Sequence, residues 1–280
     1  MPAAPPGRDP TGNKGYKAMT IHRRTLLRGF AGLPLAAVLA DPLIARAVAA
    51  GLEPVEIALS DGRKVAGTLA MPAQTPAPAV MLIHEWWGLN DQIKAVAAEL
   101  AKEGYVALAV DLYGGTVATI PEEAKALTGK VEGPVASETL GAWNAWLRDQ
   151  AATTVKQGAI GWCFGGGWSL NASLVAPVDA TVVYYGSVGP EFGGVSRSVE
   201  ALAALKGPVL GHYATRDGWI NQDMVTGFEE RMTAAGKPYT SHWYEADHAF
   251  ANPTTQRYDA EDAALAWTRT SNFLESRLRG

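Results

Sequence analysis

From residue 53 onward, two hydrophobic periodicities alternate along the chain. Residues 53–60 and 64–71 alternate polar and apolar positions around an Asp61-Gly62 turn, the pattern of a β-hairpin at a sheet edge. Residues 79–83 form an unbroken apolar run, as does the stretch 105–110; both predict strands buried on two faces. Between them, residues 91–102 set Ile93, Val96, Ala97 and Leu100 at helical spacing, and Gly104 supplies the stop. Further helices are predicted over 121–128, 135–150, 168–175, 224–235 and 259–278. Strands are predicted over 157–161, 181–185, 208–212 and 239–244. Such alternation predicts an α/β architecture: a mostly parallel central sheet with helices on both faces and an N-terminal antiparallel hairpin. No internal repeat or linker divides it, so residues 48–280 read as one domain. On a sheet of this kind, ligands bind outside the carboxyl ends of the strands. The residues that follow each strand are therefore where chemistry is sought.

The stretch after the 157–161 strand is Gly161-Trp162-Cys163-Phe164-Gly165-Gly166-Gly167 and holds the single cysteine of the chain. Glycine two positions before and two after a nucleophile is the nucleophile-elbow pattern, here with Cys in place of Ser. Side chains at Gly161 and Gly165 would crowd so sharp a turn, and the helix that follows favours a thiolate at its N-terminus. Four other strand ends carry polar clusters: His84-Glu85-Trp86-Trp87-Gly88, Asp111-Leu112-Tyr113, Ala214-Thr215-Arg216-Asp217 and Ala246-Asp247-His248-Ala249-Phe250. A cysteine nucleophile needs a base, and the base an orienting acid. Cys163, Asp217 and His248 occur in the nucleophile–acid–base order of the α/β-hydrolase fold. Asp247 is the rival acid, although a residue adjacent to the base reaches round to it poorly. His84 is expected to be structural. His84, His212 and His242 carry no ligand-spacing motif, so no metal or other cofactor is implied.

The N-terminal region follows different rules. Residues 1–18 are rich in Pro, Gly and Ala without periodicity and read as a disordered or untranslated extension, with Met19 as an alternative start. Residues 19–47 resemble a twin-arginine signal peptide: Arg23-Arg24, an apolar run over 30–40, and a small-x-small site at Ala45-Arg46-Ala47. The apolar run is too short to span a bilayer, so no stable membrane anchor is expected. The expected location is the periplasm, with the twin-arginine translocation machinery as a transient partner. The remaining 233 residues carry 17 Lys and Arg against 26 Asp and Glu, which argues against a nucleic-acid partner. One cysteine excludes an internal disulfide.

Taken together, residues 53–278 resemble the dienelactone hydrolase family. The resemblance rests on His84-Glu85-Trp86-Trp87-Gly88-Leu89-Asn90, on Glu103-Gly104-Tyr105 through Asp111-Leu112-Tyr113, on Gly161-Trp162-Cys163-Phe164-Gly165-Gly166, and on His248-Ala249-Phe250. It implies a Cys163–His248–Asp217 triad acting on a small-molecule ester or lactone through a thioester, in a protein that is often monomeric. It also implies that Glu85 contacts the resting thiol until substrate displaces it, and that the backbone N–H groups of Phe164 and Trp86 form the oxyanion hole. The best-known members hold a substrate carboxylate with arginines, one near the position of Gly114 and one at that of Asn252. Their absence points away from a carboxylated dienelactone. Trp86, Trp87, Tyr113, Trp162 and Asn252 are the residues expected around an uncharged or aromatic ester.

Two alternatives remain at this stage. Glutamine amidotransferase-like enzymes also use a Gly-x-Cys-x-Gly turn, but usually with His-x-Glu near the C-terminus. A non-catalytic ligand-binding protein on the same fold is the other.

Overall fold

The computed structural model describes residues 34–280. The extension over 1–18 and the paired arginines lie outside the described residues. The described residues open with helices α1 (Leu35–Ala40) and α2 (Pro42–Ala49), followed by strands β1 (Glu53–Ala58), β2 (Lys64–Ala70) and β3 (Ala77–Ile83). Next come α3 (Asp91–Lys102), β4 (Val106–Val110), α4 (Pro121–Thr128), α5 (Gly133–Asp149), β5 (Thr153–Trp162) and α6 (Phe164–Val175). They are followed by β6 (Ala180–Tyr184), a small β7–β8 hairpin (Glu191–Phe192 and Val195–Ser196) and α7 (Val199–Leu202). The chain closes with β9 (Val209–Ala214), α8 (Gln222–Ala234), β10 (Tyr239–Tyr244) and α9 (Ala260–Leu278).

Eight strands form one sheet in the order β1-β2-β4-β3-β5-β6-β9-β10. β1 and β2 pair antiparallel, as do β2 and β4; every pairing from β4 to β10 is parallel. The expected hairpin is thus the antiparallel edge of an otherwise parallel sheet. The apolar runs of β3, β4 and β6 are buried because helices cover both faces. α3 and α9 pack on one face, around Val80, Leu82, Ile160 and Val182. α5 and α6 pack on the other, around Met81, Ile83, Trp143 and Trp168, and α8 extends that layer with Val225, Phe228 and Met232. This architecture is the α/β-hydrolase fold.

The structure departs from the periodicity reading in two regions. The helix expected from residue 168 starts at Phe164, because the three glycines of the elbow are helical and buried. The segment 190–202, without periodicity, forms the β7–β8 hairpin and α7. Its anchor is Arg197, fully buried, which donates to Gly167 O (2.6 Å), Ser187 O (2.6 Å) and Asn171 Oδ1 (2.9 Å) and stacks on Phe192. Burial pulls its pKa down to about 9. The residue therefore ties this irregular segment to the first turns of α6.

The boundary expected at residue 47 falls within α2. Asp41 caps that helix by accepting the Leu43 N–H (2.9 Å), and Val38, Leu39, Ala45 and Val48 are buried in the core cluster that includes α3. Of the apolar run, Val38 and Leu39 pack on the domain.

Candidate active site

β5 delivers Cys163 at a turn that ordinary side-chain geometry resists. Its backbone lies at φ 52, ψ −115, and its N–H donates to Tyr184 O (2.9 Å). A Cβ on Gly161 would lie 1.9 Å from Gly165 O, and one on Gly165 would lie 2.3 Å from Ile83 O. The glycines are thus required by close backbone approach, which presses the elbow against the end of β3 and brings Glu85 and Trp86 beside it. Three non-glycine residues among those described have positive φ: Cys163, Tyr185 and Ala249. All three sit just past the carboxyl ends of strands, where strain is retained only if the surroundings enforce it.

The loops after β9 and β10 bring Asp217 and His248 together. His248 Nδ1–H donates to Asp217 Oδ2 at 2.6 Å. Asp217 Oδ1 in turn accepts the Trp219 N–H (2.8 Å) and the Ile220 N–H (3.1 Å). Burial raises the Asp217 pKa, but the His248 bond and the two amides outweigh it and hold the carboxyl below its usual range. Burial of His248 opposes its protonation. Its bonds to Asp217 and Cys163 more than compensate, and its pKa is pushed up to about 10. Nδ1 is committed to Asp217, so Nε2 is the nitrogen left for the sulfur. Asp247, the rival acid, is half-exposed and pairs with Arg216 at 3.7 Å. It plays no part in this string.

Glu85 is buried and its two oxygens are occupied: Oε1 accepts from Tyr185 Oη–H (3.0 Å) and Oε2 from Asn252 Nδ2–H (2.7 Å). Among the described residues it makes no hydrogen bond to Cys163, which lies close enough to His248 to help raise the imidazole's pKa. Burial pushes the Glu85 pKa above the usual carboxylate range, while the two donors and the nearby imidazole oppose the shift. Asn252 lies fully buried, its Oδ1 accepting from Thr254 N (2.9 Å) and Oγ1 (2.7 Å). It holds Glu85 through one amide N–H and Thr254 through its oxygen. Tyr185, which sequence reasoning missed, also packs edgewise on His248, 5.2 Å between ring centroids. Its signal was its place one residue past β6, a strand end without a charged cluster.

The expected aromatic lining divides. Tyr113 packs on His84 (4.7 Å) and Phe164 (5.6 Å), and Trp86 and Trp87 meet edge to face at 5.0 Å, all at the β3–β4 side of the elbow. Trp162 points the other way. It is buried and stacks on Tyr184 (5.4 Å), lining a 240 Å³ apolar cavity between α1, α3 and α9. Strand alternation sends it to the opposite side from the site. His84 is structural, donating Nδ1–H to Glu85 O (2.5 Å) and accepting Leu112 N–H at Nε2 (3.2 Å). Phe164 and Trp86 N–H groups have no intramolecular acceptor among the described residues. They stand at the start of α6 and just after β3, on the two segments in contact at the elbow. Among the described residues, no helix is long and apolar enough to cross a membrane.

Known proteins of similar sequence and shape agree with this geometry. Residues 65–278 match the family model described as the dienelactone hydrolase family. A candidate carboxymethylenebutenolidase of Saccharolobus solfataricus is 32% identical over 258 residues, covering 77% of this chain and 95% of that protein. The carboxymethylenebutenolidase of Pseudomonas putida is 28% identical over 236 residues, covering 79% and 95%. A crystal structure of a candidate dienelactone hydrolase from Klebsiella pneumoniae superposes with a TM-score of 0.70 at 28% identity, covering 79% of this chain and 98% of that one. With its matched region spanning most of the sheet and every strand end just described, this chain belongs to the dienelactone hydrolase family and is a lactone or ester hydrolase.

Proposed function

We propose that the chain hydrolyses an uncharged ester or lactone through a thioester on Cys163. The observation that supports this most directly is the 2.6 Å Asp217–His248 bond, beside a cysteine on a strained elbow that helps raise the imidazole's pKa. His248 takes the thiol proton, and the thiolate attacks the carbonyl carbon. The oxyanion forms opposite the Phe164 and Trp86 N–H groups, where each such donor is worth roughly 3 kcal/mol. Collapse breaks the C–O bond, and His248 returns the proton to the departing alkoxide; in a lactone this opens the ring. Water, deprotonated by His248, then attacks the thioester and releases the carboxylate and Cys163. Asp217 holds the imidazole tautomer and stabilises its protonated form. Glu85, clamped by Tyr185 and Asn252, keeps a second carboxylate near the imidazolium.

The preference for uncharged substrates rests on Asn252, a neutral side chain hydrogen-bonded to Glu85 and Thr254. A panel pairing neutral esters and lactones with carboxylated counterparts tests it. Neutral members are expected to show the higher kcat/KM, by about tenfold or more, the scale of one unpaired buried charge–charge contact. A preference for the carboxylated series overturns the assignment.

We also propose export by the twin-arginine route into the periplasm, supported by Arg23-Arg24 and the apolar run that follows. Cell fractionation is expected to find the protein outside the cytoplasm, and Arg23→Lys/Arg24→Lys to retain it inside. Equal retention of both forms overturns export.

A further inference from the structure

Trp219 is 62% exposed, whereas every other Trp, Tyr and Phe among the described residues is buried or partly buried. The Trp219 backbone N–H donates to Asp217 Oδ1 at 2.8 Å, and its ring is contacted from two sides: it lies 4.9 Å from the His248 ring at an interplanar angle of 72°, and the Arg257 guanidinium sits over it at 5.4 Å. Arg257 forms no salt bridge among the described residues, so its close partner is this ring. A solvent-facing indole therefore lies directly beside the base. The β3–β4 side of the site already carries Trp86, Trp87 and Tyr113.

We propose that Trp219 is a specificity-determining residue: an aromatic platform that takes a planar, unsaturated portion of the ester or lactone, with Arg257 as the positioning residue that holds the ring. The physical basis is stacking against a pre-oriented ring, which gains area burial and quadrupole complementarity without ordering a mobile side chain. Arg257 polarises that ring and fixes its rotamer through the cation–π contact. The proposal deepens the hydrolase reading and rests on His248 as the base.

The test compares an aryl ester with an alkyl ester of the same acid, for wild type, Trp219→Ala, Trp219→Phe and Arg257→Gln. Trp219→Ala is expected to lose about 5- to 20-fold in kcat/KM on the aryl ester, expressed in KM, with the alkyl ester changed less than about twofold. Trp219→Phe retains most of the aryl preference, and Arg257→Gln loses part of it. Equal loss on both esters shows that Trp219 only supports His248, and overturns the platform. If wild type turns over neither ester, the hydrolase reading fails on its own. The platform is then judged by calorimetric binding of the aryl ester to Cys163→Ala and to Cys163→Ala/Trp219→Ala, and equal affinities overturn it.

Discussion

Cys163→Ala is expected to lower ester turnover by about 10,000-fold or more, to the level that binding and the oxyanion donors sustain without a nucleophile. The fold should be kept, because alanine retains the Cβ that the turn already tolerates at φ 52. The side chain is only partly buried, so little packing is lost. Intact-mass measurement during turnover separates the proposed route from its alternatives. Wild type mixed with an activated ester should gain the mass of one acyl group, localised to Cys163, and the variant should gain none. A variant that still turns over the ester, or an acyl adduct on another residue, sinks the thioester route. Cys163→Gly adds a control on strain. It removes the same nucleophile and relieves the positive φ, a conformation that costs a non-glycine residue of order 1–3 kcal/mol. It is expected to be no less stable than Cys163→Ala.

Among the described glycines, Gly161 is the one whose added methyl would meet the closest backbone contact, and Gly161→Ala should be severely damaging. The added carbon would lie 1.9 Å from Gly165 O and 2.3 Å from its carbonyl carbon, and 2.9 Å from Gly166 N. These are backbone atoms of the first turn of α6, which no rotamer change can move. The turn must open, and with it go the Phe164 N–H and the sulfur position. A cost of about 3 kcal/mol or more is expected, the upper range for overpacking. In a domain of this size that lowers Tm by roughly 6–12 °C and abolishes activity. Gly141→Ala is the matched control. Gly141 lies inside α5 with nothing within 4 Å of its added Cβ. Alanine there should stabilise by about 0.5–1 kcal/mol through helix propensity. Thermal melts of the two variants beside wild type check both signs. Gly161→Ala with wild-type activity would mean that the elbow does not depend on this close approach.

The tie between Glu85, Tyr185 and Asn252 changes how this carboxylate is understood. The family resemblance implies contact with the resting thiol. Here two neutral donors hold it, and no hydrogen bond joins it to Cys163 among the described residues. A neutral clamp leaves Glu85 with its charge partly uncompensated in a buried site, and burial raises its pKa accordingly. The nearest partner for that charge is the imidazolium that forms during turnover.

Much of this protein was legible from sequence alone. Periodicity located the strands and the main helices of the domain, because a strand buried on both faces must be apolar throughout and an amphipathic helix must repeat every 3.6 residues. Glycine spacing located the elbow, because only glycine survives backbone contacts of 1.9–2.3 Å. Chain order supplied Cys163, Asp217 and His248. What required tertiary structure was direction and partnership. Trp162 and Asn252 stand near site residues in sequence, yet one faces the opposite side of the sheet and the other is tied to Glu85 and Thr254. Tyr185, Arg197 and Trp219 carry no motif. Their roles come from rings and donors contributed by segments far apart in the chain, which meet only when the sheet orders its strands as β1-β2-β4-β3-β5-β6-β9-β10. A local pattern records which residues are buried and where the backbone must turn. Which side chain meets which is set by packing between distant strands, and no local window contains it.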